Sequence, residues 1–347
     1  MTPEISAIFP TSAAQERLWI IERLSPGTAA YHVPVALRLR GALDLDALGG
    51  ALSLIVERHE ALRTVFDQID GQTVQRVLPA EPVHVEIRDV PGREAELAEL
   101  LPAEAALGFA VDTGPLLRAT LFRLGDQEHI LMVVLHHLVS DGWSMGVLFG
   151  ELSVAYDALT AGVRPELPEL ALQYVDYAIW EREQLTGDRA EELLGYWREA
   201  LADAPPALEL PTDRPRPVRQ SHAGGEVEIG LSAELSQGVV ALSRSHGVSP
   251  FMVLTAAWGA LLGRFTGSDD VVVGTAVGGR DAQTEGLIGC FINTLPLRVR
   301  LDGDPAFSEL LGRVKNVTLG ALEHQELPFD RLVQDLAPRR ELGRNPL

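Results

Sequence analysis

Only one cysteine, Cys290, occurs in 347 residues, which excludes an internal disulfide and any zinc site built on thiolates. A reducing compartment, the cytoplasm, is the expectation. Basic residues are scarce as well: 29 Lys and Arg against 49 Asp and Glu give a formal charge of -20. Such a chain lacks the clustered cations that displace counterions from phosphate, which speaks against nucleic acid and equally against an anionic membrane surface. Missing too are a basic, apolar leader, since MTPEISAIFP carries a glutamate and two prolines, and any apolar run approaching a bilayer span. No short-period repeat occurs. Hydrophobic residues nonetheless make up 46%, enough for one large core or two smaller ones, and two lobes are the expectation.

What is present alternates between strand and helix signals. Ser12 has the chemistry of an N-cap for a helix carrying Ala14, Leu18, Trp19, Ile21 and Leu24 on one stripe. Residues 32–40 (HVPVALRLR) alternate like a half-buried strand, and 44–60 form a second amphipathic helix. Further strand signals lie at 63–66, 83–87 and 116–124, and one sheet is expected to gather them. A polar, aromatic segment over 173–202 reads as one or two helices, and the Pro-rich stretch 204–218 as an extended connection. Beyond it, strands are expected at 226–231, 271–276 and 294–301, with helices at 233–246, 251–265 and 307–324.

The most informative stretch is 135–144, LHHLVSDGWS. The run before it, 129–135 (HILMVVL), is too apolar to alternate and reads as a strand buried on both faces. After Gly142, Met145, Leu148, Phe149, Leu152, Tyr156 and Leu159 recur at helical spacing. Two histidines, an aspartate and a glycine therefore sit at the mouth of a buried strand, where open α/β folds bind ligands and the N–H groups of the next helix point. Adjacent side chains of an extended segment face opposite ways, so one of His136 and His137 is placed for chemistry and the other for structure.

Other chemistries fit these residues less well. Two satisfied histidines in a packed loop are the plain alternative. A metal needs a third ligand, and although Asp141 is near, no further His or Cys has ligand spacing, so none is expected. Gly142-Trp143-Ser144-Met145-Gly146 matches the G-x-S-x-G nucleophile elbow of serine hydrolases. A polar loop separates Ser144 from the strand, however, and the available oxyanion glycines, in His222-Ala-Gly-Gly, follow the serine instead of preceding it. Residues 273–280 (VGTAVGGR) lack both the G-x-G-x-x-G spacing and a Walker lysine, so a turn is expected there. Cys290, among Ile288, Gly289, Phe291 and Ile292, reads as a small core residue.

Taken together, LHHLVSDGWS, 12–19 (SAAQERLW), 58–66 (RHEALRTVF), 174–180 (YVDYAIW), 288–298 (IGCFINTLPLR), 324–330 (HQELPFD) and 344–347 (RNPL) form an ordered series. The series resembles the condensation domains of non-ribosomal peptide synthetases, relatives of chloramphenicol acetyltransferase that carry HHxxxDG. The fold this implies is α/β, of the α+β two-layer kind: two acetyltransferase-like lobes in a V-shaped pseudo-dimer with a tunnel between them. The lobes would comprise residues 1–175 and 176–347, the second incomplete because Leu347 stops inside the last match.

The resemblance implies an amide-forming acyltransferase, with His137 catalytic as the second histidine and His136, Asp141 and Gly142 completing the motif. It makes Arg58 and Arg63 supporting residues, Arg63 pairing with Asp141, and it places Trp143, Ser144 and Asn293 along the tunnel, Asn293 reading equally as a turn or strand-end asparagine. No intrinsic cofactor is implied. Both substrates would ride on the phosphopantetheine arms of donor and acceptor peptidyl carrier proteins, served by an adenylation domain in the same or another chain, since 1–347 hold neither an adenylation segment nor a G-G-x-S carrier motif. Cyclising relatives carry D-x-x-x-x-D instead, and recruiting relatives lose the second histidine or the glycine. Epimerising relatives keep the same residues, but SAAQERLW and LVSDGWSM look more like members that join two L-residues.

Overall fold

Residues 7–215, 217 and 224–336 are described by the computed structural model, so the 344–347 match and His222 lie outside the described residues. Two units result: residues 1–184 with 280–292, and residues 185–279 with 293–347.

In the first unit β1 (Ala7–Pro10) leads into α1 (Ala13–Leu24). Ser12 starts α1 by a capping box, its hydroxyl accepting from the Gln15 N–H while the Gln15 side chain accepts from the Ser12 N–H. Next come β2 (His32–Arg40) and α2 (Leu45–Arg58), the latter capped by Asp44. They are followed by β3 (Thr64–Ile69), β4 (Gln72–Val77), β5 (Val85–Asp89) and α3 (Leu97–Ala105). A hairpin of β6 (Leu117–Gly125) and β7 (Glu128–His136) then precedes α4 (Gly142–Thr160) and α5 (Tyr174–Gln184).

These strands form two sheets, β2-β7-β6-β5 and β1-β4-β3, where one was expected. The second was hidden because β1 ends in proline and β4 (QTVQRV) is mostly polar, with a buried Gln75 in place of an apolar residue. β7 runs antiparallel to both β2 and β6. Its alternate residues serve two cores, as period-two geometry requires. Leu131, Val133 and Leu135 pack with Leu52 and Ile55 of α2 and Leu148 and Leu152 of α4. Ile130, Met132 and Val134 pack with Val90, Leu97 and Phe122. At roughly 1.5–3 kcal/mol for each fully buried aliphatic side chain, this double burial makes β7 a rigid mount for whatever its C-terminal end carries.

In the second unit α6 (Gly187–Ala200) is followed by α7 (Ala233–His246) and α8 (Pro250–Thr266). Ser232 and Ser249 cap α7 and α8, and each ends at a glycine in the left-handed region, Gly247 (φ 60°) and Gly267 (φ 70°). β8 (Asp270–Gly278) pairs with β9 (Ile292–Arg300), and α9 (Phe307–Glu323) and α10 (Phe329–Leu336) complete the described elements.

Two expectations are corrected here. Residues 226–231 form no strand, and Val227 and Ile229 stand 83% and 79% exposed. Alternation makes a segment fit for a sheet, but a strand exists only beside another, and none of the described strands pairs with it. Conversely, 273–278 is no turn but the continuation of β8, its valines outweighing its glycines. Among the described residues no single helix is long and apolar enough to cross a membrane.

Candidate functional site

The site is assembled where β7 ends. Immediately after His136 the chain makes one 3-10 turn over His137–Val139, and α4 begins at Gly142. Three side-chain contacts fix the turn: Nδ1 of His136 accepts from the Leu138 N–H (3.0 Å), the Ser140 hydroxyl donates to the His136 carbonyl (3.1 Å), and Nε2 of Gln15 donates to the Leu138 carbonyl (3.2 Å). Gln15 is thus both a helix-capping residue and a tie between α1 and the histidine turn.

The two histidines separate as their alternation requires. His136 is 1% exposed, with Phe109 and His32 as ring neighbours at 6.1 and 5.9 Å. Burial, with His32 and His137 adding to it, pushes its pKa down to about 3, so the ring is neutral. His137 is only partly buried, and its Nδ1 lies 2.9 Å from the Ser140 carbonyl. A carbonyl only accepts, so Nδ1 carries the proton and Nε2 holds the lone pair. Burial lowers the His137 pKa below the ordinary imidazole value, outweighing the opposite pull of the Ser140 hydrogen bond and the Asp141 charge. The geometry therefore sets a neutral imidazole whose Nε2 can take a proton.

Asp141 is the N-cap of α4, and four contacts saturate it. Its Oδ1 accepts from the Ser144 N–H (2.8 Å), the Ser144 hydroxyl (2.8 Å) and Nη2 of Arg280 (2.9 Å), and its Oδ2 from the Phe291 N–H (3.1 Å). Arg280, rather than Arg63, is therefore its ionic partner. Arg63 instead donates to the Leu78 carbonyl (2.6 Å) and approaches Glu60 (3.4 Å). Arg280 also binds the carbonyls of Thr284 and Leu287 and lies over the Phe291 ring, 4.0 Å from its centroid. Residues 280–292 thus clamp the start of α4 through one guanidinium. No local sequence signal joined Arg280 to Asp141; the burial of Asp141 required only that some cation pair with it.

Ser144 lies at the third position of α4, fully buried, with its hydroxyl 2.9 Å from the Gly289 carbonyl and 3.1 Å from the Gly289 N–H. It sits on no strand-to-helix elbow, so the geometry does not support the G-x-S-x-G hydrolase. Trp143 is 59% exposed and donates from its indole N–H to the Glu285 carbonyl. Gly142 has its would-be Cβ direction open, with no atom within 4 Å apart from its chain neighbours and the backbone of its own helix. Gly289 is different: a Cβ there would stand 2.0 Å from the Tyr174 ring, whose hydroxyl donates to the Cys290 carbonyl (2.6 Å). Cys290 itself is buried, and burial pushes its thiol up to about 12, so it is no nucleophile at neutral pH.

The remaining residues singled out from the sequence are structural. Arg58 binds Glu151 of α4 (2.9 Å) and the Pro168 carbonyl. Beside it His59, 1% exposed, meets the same Glu151 (2.8 Å). Burial alone would raise the Glu151 pKa, but its hydrogen bonds and charge interactions with His59 and Arg58 bring it below the ordinary carboxyl value. In the second unit Asn293 donates to the Gln325 and Leu327 carbonyls and accepts from the Thr294 and Phe329 N–H groups. All four hydrogen-bonding positions of its amide are taken, so it holds the turn before α10 and has none left for a substrate. No group of three or more His, Cys, Asp or Glu among the described residues could hold a metal ion.

The family model described as Condensation domain matches residues 5–347. One polypeptide of the linear gramicidin synthase of Brevibacillus parabrevis is 46% identical over 97% of this chain and 4% of that protein. Isonitrile lipopeptide synthase of Mycobacterium tuberculosis is 42% identical over 98% of this chain and 14% of that protein. The chain thus spans a small part of the length of the curated relatives it matches. The X-domain from teicoplanin biosynthesis superposes with a TM-score of 0.90 at 35% identity, over 100% of this chain and 76% of that one, and it is also solved in complex with OxyB. The first condensation domain of the CDA synthetase superposes with a TM-score of 0.79 at 26% identity, over 95% of this chain and 80% of that one.

Proposed function

The chain belongs to the condensation-domain family, and on that premise we propose that it joins two carrier-bound substrates by an amide bond, as an acyltransferase of the L-to-L type. Donor acyl or peptidyl group and acceptor aminoacyl group each arrive as a thioester on the phosphopantetheine arm of a carrier protein, charged by an adenylation domain in the same or another chain. The cytoplasm, where synthetases meet their activated substrates, is its place.

The observation that carries this reading is the His137 ring, whose Nδ1–H is committed to Ser140 so that Nε2 presents its lone pair. The acceptor α-amine attacks the donor carbonyl carbon while Nε2 takes up an amine proton. The C–N bond forms, and the carbonyl π pair moves onto oxygen. First-turn N–H groups of α4, at Gly142 and Trp143, favour negative charge there. The open Cβ direction of Gly142 leaves room for the reacting thioester. Collapse restores the carbonyl and breaks C–S, and the proton held on Nε2 passes to the departing thiolate. An amide on the acceptor carrier and a free phosphopantetheine thiol on the donor carrier result. Asp141, saturated by four contacts, moves no proton and holds the loop.

One observation favours a second reading, a platform that recruits another protein: the superposition on the X-domain, which is solved with OxyB. The intact His136, His137, Asp141 and Gly142 weigh against it. The deciding experiment mixes the protein with donor- and acceptor-loaded aminoacyl carriers and weighs the carriers intact. A dipeptidyl thioester on the acceptor carrier supports condensation. Carrier binding without product supports the platform, and inversion at the α-carbon without product, read by chiral chromatography of the amino acid released from the carrier, supports an epimerising domain.

A further inference from the structure

Beneath the histidine turn two buried polar atoms have no hydrogen-bond partner, Nε2 of His136 and Oε2 of Glu22. They face each other at 3.8 Å, their side chains 1% and 7% exposed. Buried polar groups are nearly always satisfied, so two such atoms side by side ask for one explanation. The other nitrogen of the ring supplies it. Nδ1 accepts from the Leu138 N–H, so a neutral His136 carries its proton on Nε2. A donor then lies 3.8 Å from a carboxylate oxygen that lacks one, within ion-pair distance. The rest of Glu22 is fixed, because Oε1 accepts from the Gly27 N–H (2.6 Å). α1, which bears Glu22, is also tied to this turn by Gln15.

We infer that Glu22 is a positioning residue for His137. Its carboxylate holds His136 as the Nε2–H tautomer, which keeps Nδ1 free to accept the Leu138 N–H and thereby sets the turn that presents His137. With the proton on Nδ1 the Leu138 N–H would meet another donor, and the turn, including the contact of His137 with Ser140, would have to shift. Glu22 touches no substrate and acts only through His136. The inference rests on the proposed condensation reaction for its kinetic readout alone.

The test labels histidine with 15N and reads each ring's tautomer from long-range 1H–15N correlations, with His136 assigned by its loss in His136→Gln. The wild-type chain is expected to show His136 as the Nε2–H tautomer with a slowly exchanging ring proton. Glu22→Gln has one acceptor oxygen for the two N–H groups that the carboxylate faces, so it weakens that signature, whereas Glu22→Leu gives a full tautomer mixture. In single-turnover dipeptide formation Glu22→Leu is slowed about tenfold or more by misplacement of His137, the carrier concentration at half-maximal rate is unchanged, and Glu22→Gln is slowed less. A wild-type His136 in the Nδ1–H form, or a Glu22→Leu spectrum identical to wild type, overturns the inference. Should Glu22→Leu fail to fold, the wild-type spectrum decides by itself, an Nδ1–H form there being contradictory. The expected spectra in a chain that makes no dipeptide would keep Glu22 in this role and sink the proposed reaction instead.

Discussion

Replacing Asp141 by alanine tests how the site is held. The Asp141 and Arg280 side chains are 3% and 7% exposed and 2.9 Å apart. The substitution removes a carboxylate that also receives the N–H groups of Ser144 and Phe291 and the Ser144 hydroxyl. Breaking a buried pair by deleting one partner costs about 3–5 kcal/mol, because the surviving charge stays buried. The Thr284 and Leu287 carbonyls still receive hydrogen bonds from Arg280, but neutral acceptors do not cancel its charge. The expected loss is therefore about 3–5 kcal/mol, with the helix cap included. Urea unfolding followed by tryptophan fluorescence measures it. Adding Arg280→Met removes the orphaned cation, so the double variant should be more stable than Asp141→Ala alone. A single variant within about 1 kcal/mol of wild type, or a double variant less stable than the single, would refute the reasoning.

Other substitutions separate fold from chemistry. Gly142→Ala should leave stability unchanged or raise it by up to about 1 kcal/mol, since alanine is the better helix former and its Cβ meets no atom beyond its chain neighbours and its own helix backbone, yet slow dipeptide formation; unchanged kinetics would show that the open space is not used. Gly289→Ala should destabilise by about 1–3 kcal/mol in the same unfolding assay through its clash with the Tyr174 ring. Because the His137 pKa lies below 6.5, its ring resonances should titrate below pH 6.5, separately from the acceptor amine, whose protonation lowers the rate nearer neutrality; a ring midpoint above 6.5 would contradict a neutral imidazole. His136 titrates near 3 in the folded chain against an ordinary 6.5, so between these values the unfolded chain binds more protons. Stability should drop as pH falls through that range, by up to about 1.4 kcal/mol per unit, and His136→Gln should flatten the slope.

Local patterns were legible and long-range pairings were not. The continuous apolar run of β7 and the spacing of α4 told where the histidine loop would sit, since both depend on residues within one element. The partner of Asp141 did not show, because Arg280 is 139 positions away and no local rule joins them; the run before it passed for a glycine turn when it is the end of β8. Residues 226–231 carry a strand's alternation without a strand's neighbour, the opposite failure of the same rule. Gln15 was read only as part of SAAQERLW and Glu22 was given no role, though the Gln15 amide is what fastens α1 to the histidine turn. Asn293, assigned to the tunnel by resemblance, proves saturated by backbone groups that only a folded turn brings together.

The central claim is that Nε2 of His137 takes part in forming the C–N bond, and the single-turnover rate of dipeptidyl thioester formation by His137→Ala tests it most directly. The ring makes one hydrogen bond within the turn, to the Ser140 carbonyl, so its removal should cost no more than about 1.5 kcal/mol of stability. Loss of a positioned proton acceptor should slow the reaction by about 100-fold or more. A folded His137→Ala chain that forms the dipeptide at the wild-type rate would contradict the account.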